Sequence, residues 1–254
     1  MKRPALLLIT IVAVSVGMQA QAGNAGANAE AASGQKITAS AVWQPPSDFI
    51  SKTQNLCQKS AGPMSFPECF LNQIASSGAP APAVGFSRML FEQSVGQVGI
   101  VSAFKGYGTV DAAQVLYPLR ANDNYALLLV NGDPNIVDVD DLQKLDRSAM
   151  EQDPKFQALK QKYPQADVMP GDRSGSSPWP QTKPLPDGGT QFIFAYPLVN
   201  GCHACERVGS VRFAWEFDSA GKFLRTTYIP MPSRTKAQPW PAPHPVVAEL
   251  IPQL

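Results

Sequence analysis

The four cysteines of this 254-residue chain fall into two close pairs, Cys57 with Cys69 and Cys202 with Cys205, and no other feature constrains its folding as much. Four cysteines allow three connectivities, and closeness in sequence favours the local one. Cys57 falls near the end of one expected helix and Cys69 in the first turn of the next. A bridge between them staples an αα-hairpin, which in the chain-entropy model is worth roughly 3 kcal/mol for a loop of this size. Cys202-His203-Ala204-Cys205 lies between two strand patterns, where a bridge is a structural staple at the mouth of a β-hairpin.

Bridges of this kind belong to oxidising compartments, and the first residues point the same way. Lys2 and Arg3 precede an apolar run, Ala5 to Val16, and a small-residue tail ending in Ala20-Gln21-Ala22. That is the three-part pattern of a secretory signal peptide over residues 1–22. The run is shorter than the roughly 20 residues a membrane-crossing helix needs, so no retained membrane span is expected. The expected location is outside the cytosol, in the bacterial periplasm. Residues 23–40, rich in Ala, Gly and Asn, read as a flexible leader.

The chain carries 24 Pro and 19 Gly, is 44% hydrophobic and 16% charged, and has a formal charge of +1. It is too apolar for a disordered chain and too broken for a coiled coil. A near-neutral surface excludes a nucleic-acid footprint and a polybasic membrane anchor.

Residues 41–254 read as a single α+β domain, with an N-terminal disulfide-stapled helical hairpin packed on a mostly antiparallel sheet. Phe49, Ile50, Thr53, Leu56 and Cys57 make a helical stripe behind Ser47. Ser65 and Glu68 have the spacing of a capping box before Cys69, Phe70 and Ile74, with a stop at Gly78. Pro82 opens a third helix through Ala83, Phe86, Leu90 and Phe91. Short apolar runs then read as strands, and Leu127 to Val130 are apolar at consecutive positions, as in a strand covered on both faces. Helices are expected over Asp140–Met150 and Pro154–Tyr163. The Pro/Gly/Ser-rich stretch 164–189 reads as one long loop. Gln191–Val199, Val208–Phe217 and Phe223–Ile229 form an antiparallel meander whose last turn is Asp218-Ser219-Ala220-Gly221. A Pro-rich tail spans 231–254.

Candidate chemistry is sparse. Cys202, His203 and Cys205 are a redox candidate, because a Cys-x-x-Cys that opens a helix has its thiolate stabilised by the helix amides. A helix after Cys205 would favour redox chemistry, and the strand expected there favours the staple. A zinc site would have to recruit His244 or the other cysteine pair. Haem attachment is excluded, since no histidine directly follows the second cysteine. The acidic run Asp138, Asp140, Asp141 lacks the glycine and glutamate of a calcium loop and reads as a turn with an Asp cap. With only His203 and His244 as bases and no nucleophile elbow, no catalytic residues, metal or cofactor are expected. Glu92, Asp111, Asp123 and Asp133 could serve a carboxylate-based envelope hydrolase only by converging in space. Trp179 and Trp240, flanked by prolines, are binding candidates. The leading expectation is an exported, non-enzymatic protein that binds an envelope protein or a small-molecule ligand. A thiol–disulfide or thiol–metal protein working through Cys202 and Cys205 is second, and the envelope hydrolase third.

Overall fold

The computed structural model of the chain describes residues 36–59, 65–94, 96–120, 124–171, 178–202 and 204–231. The signal-peptide segment, most of the leader, Asp123, His203 and all of the Pro-rich tail beyond residue 231, with Trp240 and His244, lie outside them.

The last residues read as leader are packed. Ile37 is buried, and its backbone is clasped by the Asn131 side chain. Asn131 Oδ1 accepts from the Ile37 N–H at 2.7 Å, and Asn131 Nδ2 donates to the Ile37 carbonyl at 2.8 Å. After a 3-10 turn at Ala39–Ala41, the Trp43 N–H donates to the Val101 carbonyl at 2.9 Å, tying the entering chain to the first sheet.

Three helices follow: α1 (Phe49–Lys59), α2 (Phe66–Ser76) and α3 (Ala81–Gln93). α2 starts at the capping box its sequence announces. Ser65 Oγ accepts from the Glu68 N–H at 3.4 Å, and Glu68 Oε2 accepts from the Ser65 N–H at 2.8 Å. Those bonds hold the Glu68 carboxyl below its usual range. The Cys57–Cys69 disulfide, with Cα atoms 5.7 Å apart, joins α1 to α2. Phe49, Phe70 and Ile74 of this hairpin bury themselves against Val98 and against Ile100 of the first sheet. α3 lies flat on that sheet because residue 99 is glycine. A Cβ there would sit 2.4 Å from Leu90 Cδ2 and 2.7 Å from Val115 Cγ1. The bare backbone also lets Ser87 Oγ donate to the Gly99 carbonyl at 2.7 Å.

The first sheet is antiparallel in the order β1 (Ile100–Lys105), β2 (Asp111–Leu116), β3 (Tyr125–Val130), β4 (Ile136–Asp138). β3 is covered on both faces, as its unbroken apolar run implies. Ala126, Leu128 and Val130 face α3, and Leu127 and Leu129 face the second sheet.

The second sheet follows α4 (Ser148–Glu151) and α5 (Pro154–Lys162). It comprises β5 (Ala166–Val168), β6 (Gln181–Pro184), β7 (Thr190–Asn200), β8 (Arg207–Phe217) and β9 (Phe223–Ile229). The order is β5-β7-β8-β9, with β6 also paired along β7. The alternating aromatics Phe192, Phe194, Tyr196, Phe213, Trp215 and Phe217 fill the layer between the sheets with Leu127 and Leu129. A buried relay fixes the two layers: Trp215 Nε1 donates to Tyr196 Oη at 2.9 Å, which donates to the Val139 carbonyl at 2.7 Å.

Two elements differ from expectation. The helix expected over Asp140–Met150 is a 3-10 turn at Leu142–Lys144 and the short α4. Between them Thr226 of β9 takes the backbone for itself, its Oγ1 accepting from the Asp146 N–H at 2.8 Å and donating to the Lys144 carbonyl at 2.7 Å. The stretch 164–189 holds β5 and β6, which pair with opposite ends of β7. β6 is exposed throughout and ends in Pro184, so it shows no alternation to read.

Candidate functional site

Cys202 and Cys205 form a disulfide with Cα atoms 5.0 Å apart. Both are exposed at the tip of the β7–β8 hairpin, and the Cys205 N–H closes the turn onto the Cys202 carbonyl at 2.9 Å. The element that follows is the strand β8, so the helix N-terminus that would stabilise a thiolate is not supplied there.

The acids singled out in the sequence serve separate purposes. Asp111 is buried, and its Oδ1 accepts from the Tyr107 and Gly108 N–H groups at 2.7 and 3.2 Å. Its Oδ2 accepts from Asn131 Nδ2 at 2.7 Å. This carboxylate therefore anchors the β1–β2 turn and the clasp on Ile37. Glu92 stands on the exposed side of α3, and Asp133 is exposed in the turn after β3. Asp141 caps the 3-10 turn, accepting from the Gln143 N–H at 3.2 Å. Among the described residues, no group of three or more His, Cys, Asp or Glu is placed to hold a metal ion. Trp179 is half-buried and packed against the inter-sheet core.

Among the described residues, two concavities with charged linings stand out. The larger, about 690 Å³, is an open groove between α4, α5 and β5, with Met150 and Phe156 in its floor. Three of its four charged side chains are already engaged. Arg147 pairs with Asp167 at 2.9 Å, and Lys160 Nζ donates to the Pro164 and Ala166 carbonyls, both at 2.9 Å.

The smaller, about 180 Å³, lies on the helix-facing side of the first sheet where α3 ends. Leu90, Leu128 and Ile136 make its apolar floor, and Tyr117, Arg120, Asp138 and Lys144 bring polar groups to it. The register builds this convergence. Asp138 pairs directly with Leu128, so both side chains stand on the same face of the sheet. Tyr117 continues the face of Ala113 and Val115 just past the end of β2, and its buried ring belongs to the same core.

The Arg120 guanidinium stacks on the Tyr117 ring, 3.7 Å from its centroid, and donates through Nε and Nη2 to Gln97 Oε1 at 3.1 and 2.6 Å. A planar cation gripped on one face and one edge loses little freedom on meeting a further partner. Asp138 accepts from the Asp140 N–H at 2.9 Å. Its carboxyl is pushed up to about 6, first by burial and then by the charge of Asp140. The Asp140 N–H and Arg120 pull it back, and Asp141 adds a smaller upward push. Burial, and next the Asp138 charge, raise the Tyr117 hydroxyl. Lys144 faces this group from the 3-10 turn while paired with Asp141 at 3.1 Å.

In the sequence Asp138 is only part of an acidic turn, and no local pattern marks Tyr117, Arg120 or Lys144 as site residues. They come from three separate segments, and only the face-sharing of β2, β3 and β4 joins them.

Compared with known proteins, the chain matches no family model, no curated protein and no solved structure. No helix among the described residues is long and apolar enough to cross a membrane.

Proposed function

We propose that this chain is an exported binding protein that holds a small polar ligand in the Tyr117–Arg120–Asp138 pocket without chemically changing it, and that it works in the periplasm. The observation that carries this reading is the pocket itself: a few convergent polar groups over an apolar floor, the composition of small-ligand sites. The N-terminal pattern of residues 1–22 and the two closed disulfides support export.

A thermal-shift screen of the purified chain against small amines, carboxylates, sugars and nucleosides tests it. A ligand that raises Tm and shifts the NMR methyl signals of Leu128 and Ile136 is the expected result. A panel that moves neither sinks the reading.

The exposure of both Cys202 and Cys205 at a hairpin tip favours a second reading, a thiol–disulfide protein acting through that pair. Differential alkylation across a glutathione series, reading Cys202/Cys205 separately from Cys57/Cys69, decides between them. A potential below about −300 mV marks a staple, and one between about −120 and −200 mV marks redox function.

A further inference from the structure

We propose that the pocket is a receptor for a small zwitterion of the α-amino-acid type, its ammonium paired with Asp138, its carboxylate with Arg120, and a short apolar side chain lying on Leu90, Leu128 and Ile136. This inference rests on the pocket being the binding site, and it names the ligand's chemistry.

Three observations converge on it. First, the two signs are fixed in place. Arg120 is held on the Tyr117 ring by Gln97 Oε1, which leaves the rest of its guanidinium fork for an incoming carboxylate. Asp138 is held by the Asp140 N–H, and its only described hydrogen bond is to a backbone amide. Second, the surroundings of Asp138 ask for a cation. Asp140 and Asp141 crowd it with like charge, and Lys144 is spent on Asp141. The last turn of α3 also contributes to the lining through Gln93 and Ser94, and the C-terminal end of a helix favours positive charge. Third, a cavity of about 180 Å³ is well below the ~300–1,000 Å³ of pockets that take drug-sized molecules. The ligand is therefore a handful of heavy atoms, and both of its charges must be satisfied within that space. A simple anion would leave Asp138 desolvated and unpaired, and a simple amine would leave Arg120 without its carboxylate.

The titratable and charged groups facing Asp138 are Tyr117 and Arg120 beyond β2, Asp140 and Asp141 after β4, and Lys144 on the 3-10 turn. α3 adds only uncharged side chains to the lining. An ammonium partner requires the ionised acid, so affinity is expected to climb between pH 5 and pH 7.

The test is NMR titration of the purified chain with alanine and serine, and with propionate and ethylamine as probes carrying one charge each. Alanine is expected to shift Leu128 and Ile136 at millimolar concentration and to bind at least about tenfold more tightly than either single-charge probe. Asp138→Asn is expected to erase that advantage and the pH dependence while keeping propionate binding. Arg120→Gln is expected to keep ethylamine binding and lose propionate. Both variants replace a charge with an uncharged amide, Asp138→Asn isosterically and Arg120→Gln with a shorter side chain, and a thermal melt of each confirms that it is folded. Alanine binding unaffected by Asp138→Asn overturns the proposal. So does a pocket that takes only single-charge or sugar ligands, although the binding reading then survives. If nothing tested reaches the pocket signals, both fall.

Discussion

Asp111 and Asp138 are carboxylates of one antiparallel sheet, and the fold treats them in opposite ways. Asp111, at the start of β2, is buried and accepts from two backbone amides and one side-chain amide, so every bond it makes serves the turn or the clasp on Ile37. Asp138, at the end of β4, has one backbone amide, two acidic neighbours and a pocket in front of it. A buried charge whose partners are all supplied by the chain is part of the scaffold. One left short of partners beside a cavity is stored electrostatic demand, which a ligand can meet. The proposed binding site rests on this contrast, because the fold is less self-sufficient at Asp138 than at Asp111.

The contrast can be broken by mutation. Asp111→Ala should have the largest effect, a loss of about 3 kcal/mol, because it removes a buried carboxylate that accepts from two amides of the β1–β2 turn and from Asn131. Urea unfolding reads it directly, and a loss under about 1 kcal/mol would mean that Asp111 is no anchor. Tyr196→Phe should cost about 2 kcal/mol by orphaning Trp215 Nε1 and the Val139 carbonyl, and it should lower Tm without touching the pocket signals in NMR. Thr226→Val should cost about 1.5 kcal/mol and should also disturb the pocket, since Thr226 holds the carbonyl of Lys144. A change in stability with no movement of the Lys144 signals would separate the two sheets more sharply than the structure does.

Asp138→Asn should act in the other direction. The folded state holds the Asp138 proton up to about pH 6, well above its usual 3.8. The stabilisation from that proton is complete below the unfolded value and fades as pH rises through about 6. At pH 7 the ionised group is a burden, and its removal should stabilise by about 1 kcal/mol, given the screening of a half-buried carboxylate. Wild-type Tm should rise between pH 7 and pH 5 relative to the variant. Parallel pH profiles would show that Asp138 is as well satisfied as Asp111.

Much of the scaffold could be read from short stretches of sequence. The Ser65–Glu68 box, the apolar run of β3, the alternating aromatics of β7 and β8, and the Asp218–Gly221 turn are each decided by residues a few positions apart. What escaped was decided at a distance. Leu142, Leu145 and Met150 have nearly helical spacing, yet a threonine some 80 residues on takes the backbone of Lys144 and Asp146 between them. β5 and β6 exist because β7 is long enough to be paired at both ends. The pocket escaped for the same reason, since Gln97, Arg120 and Asp138 meet only once the register of the first sheet is set.

The clasp on Ile37 bears on the order in which the chain can be completed. Its partner, Asn131, lies 94 positions later. A polypeptide delivered beginning-first through a narrow passage has no seat for this segment until nearly a hundred further residues have arrived. On such a route the stretch around Ile37 would stay unclasped until Asn131 has followed it through.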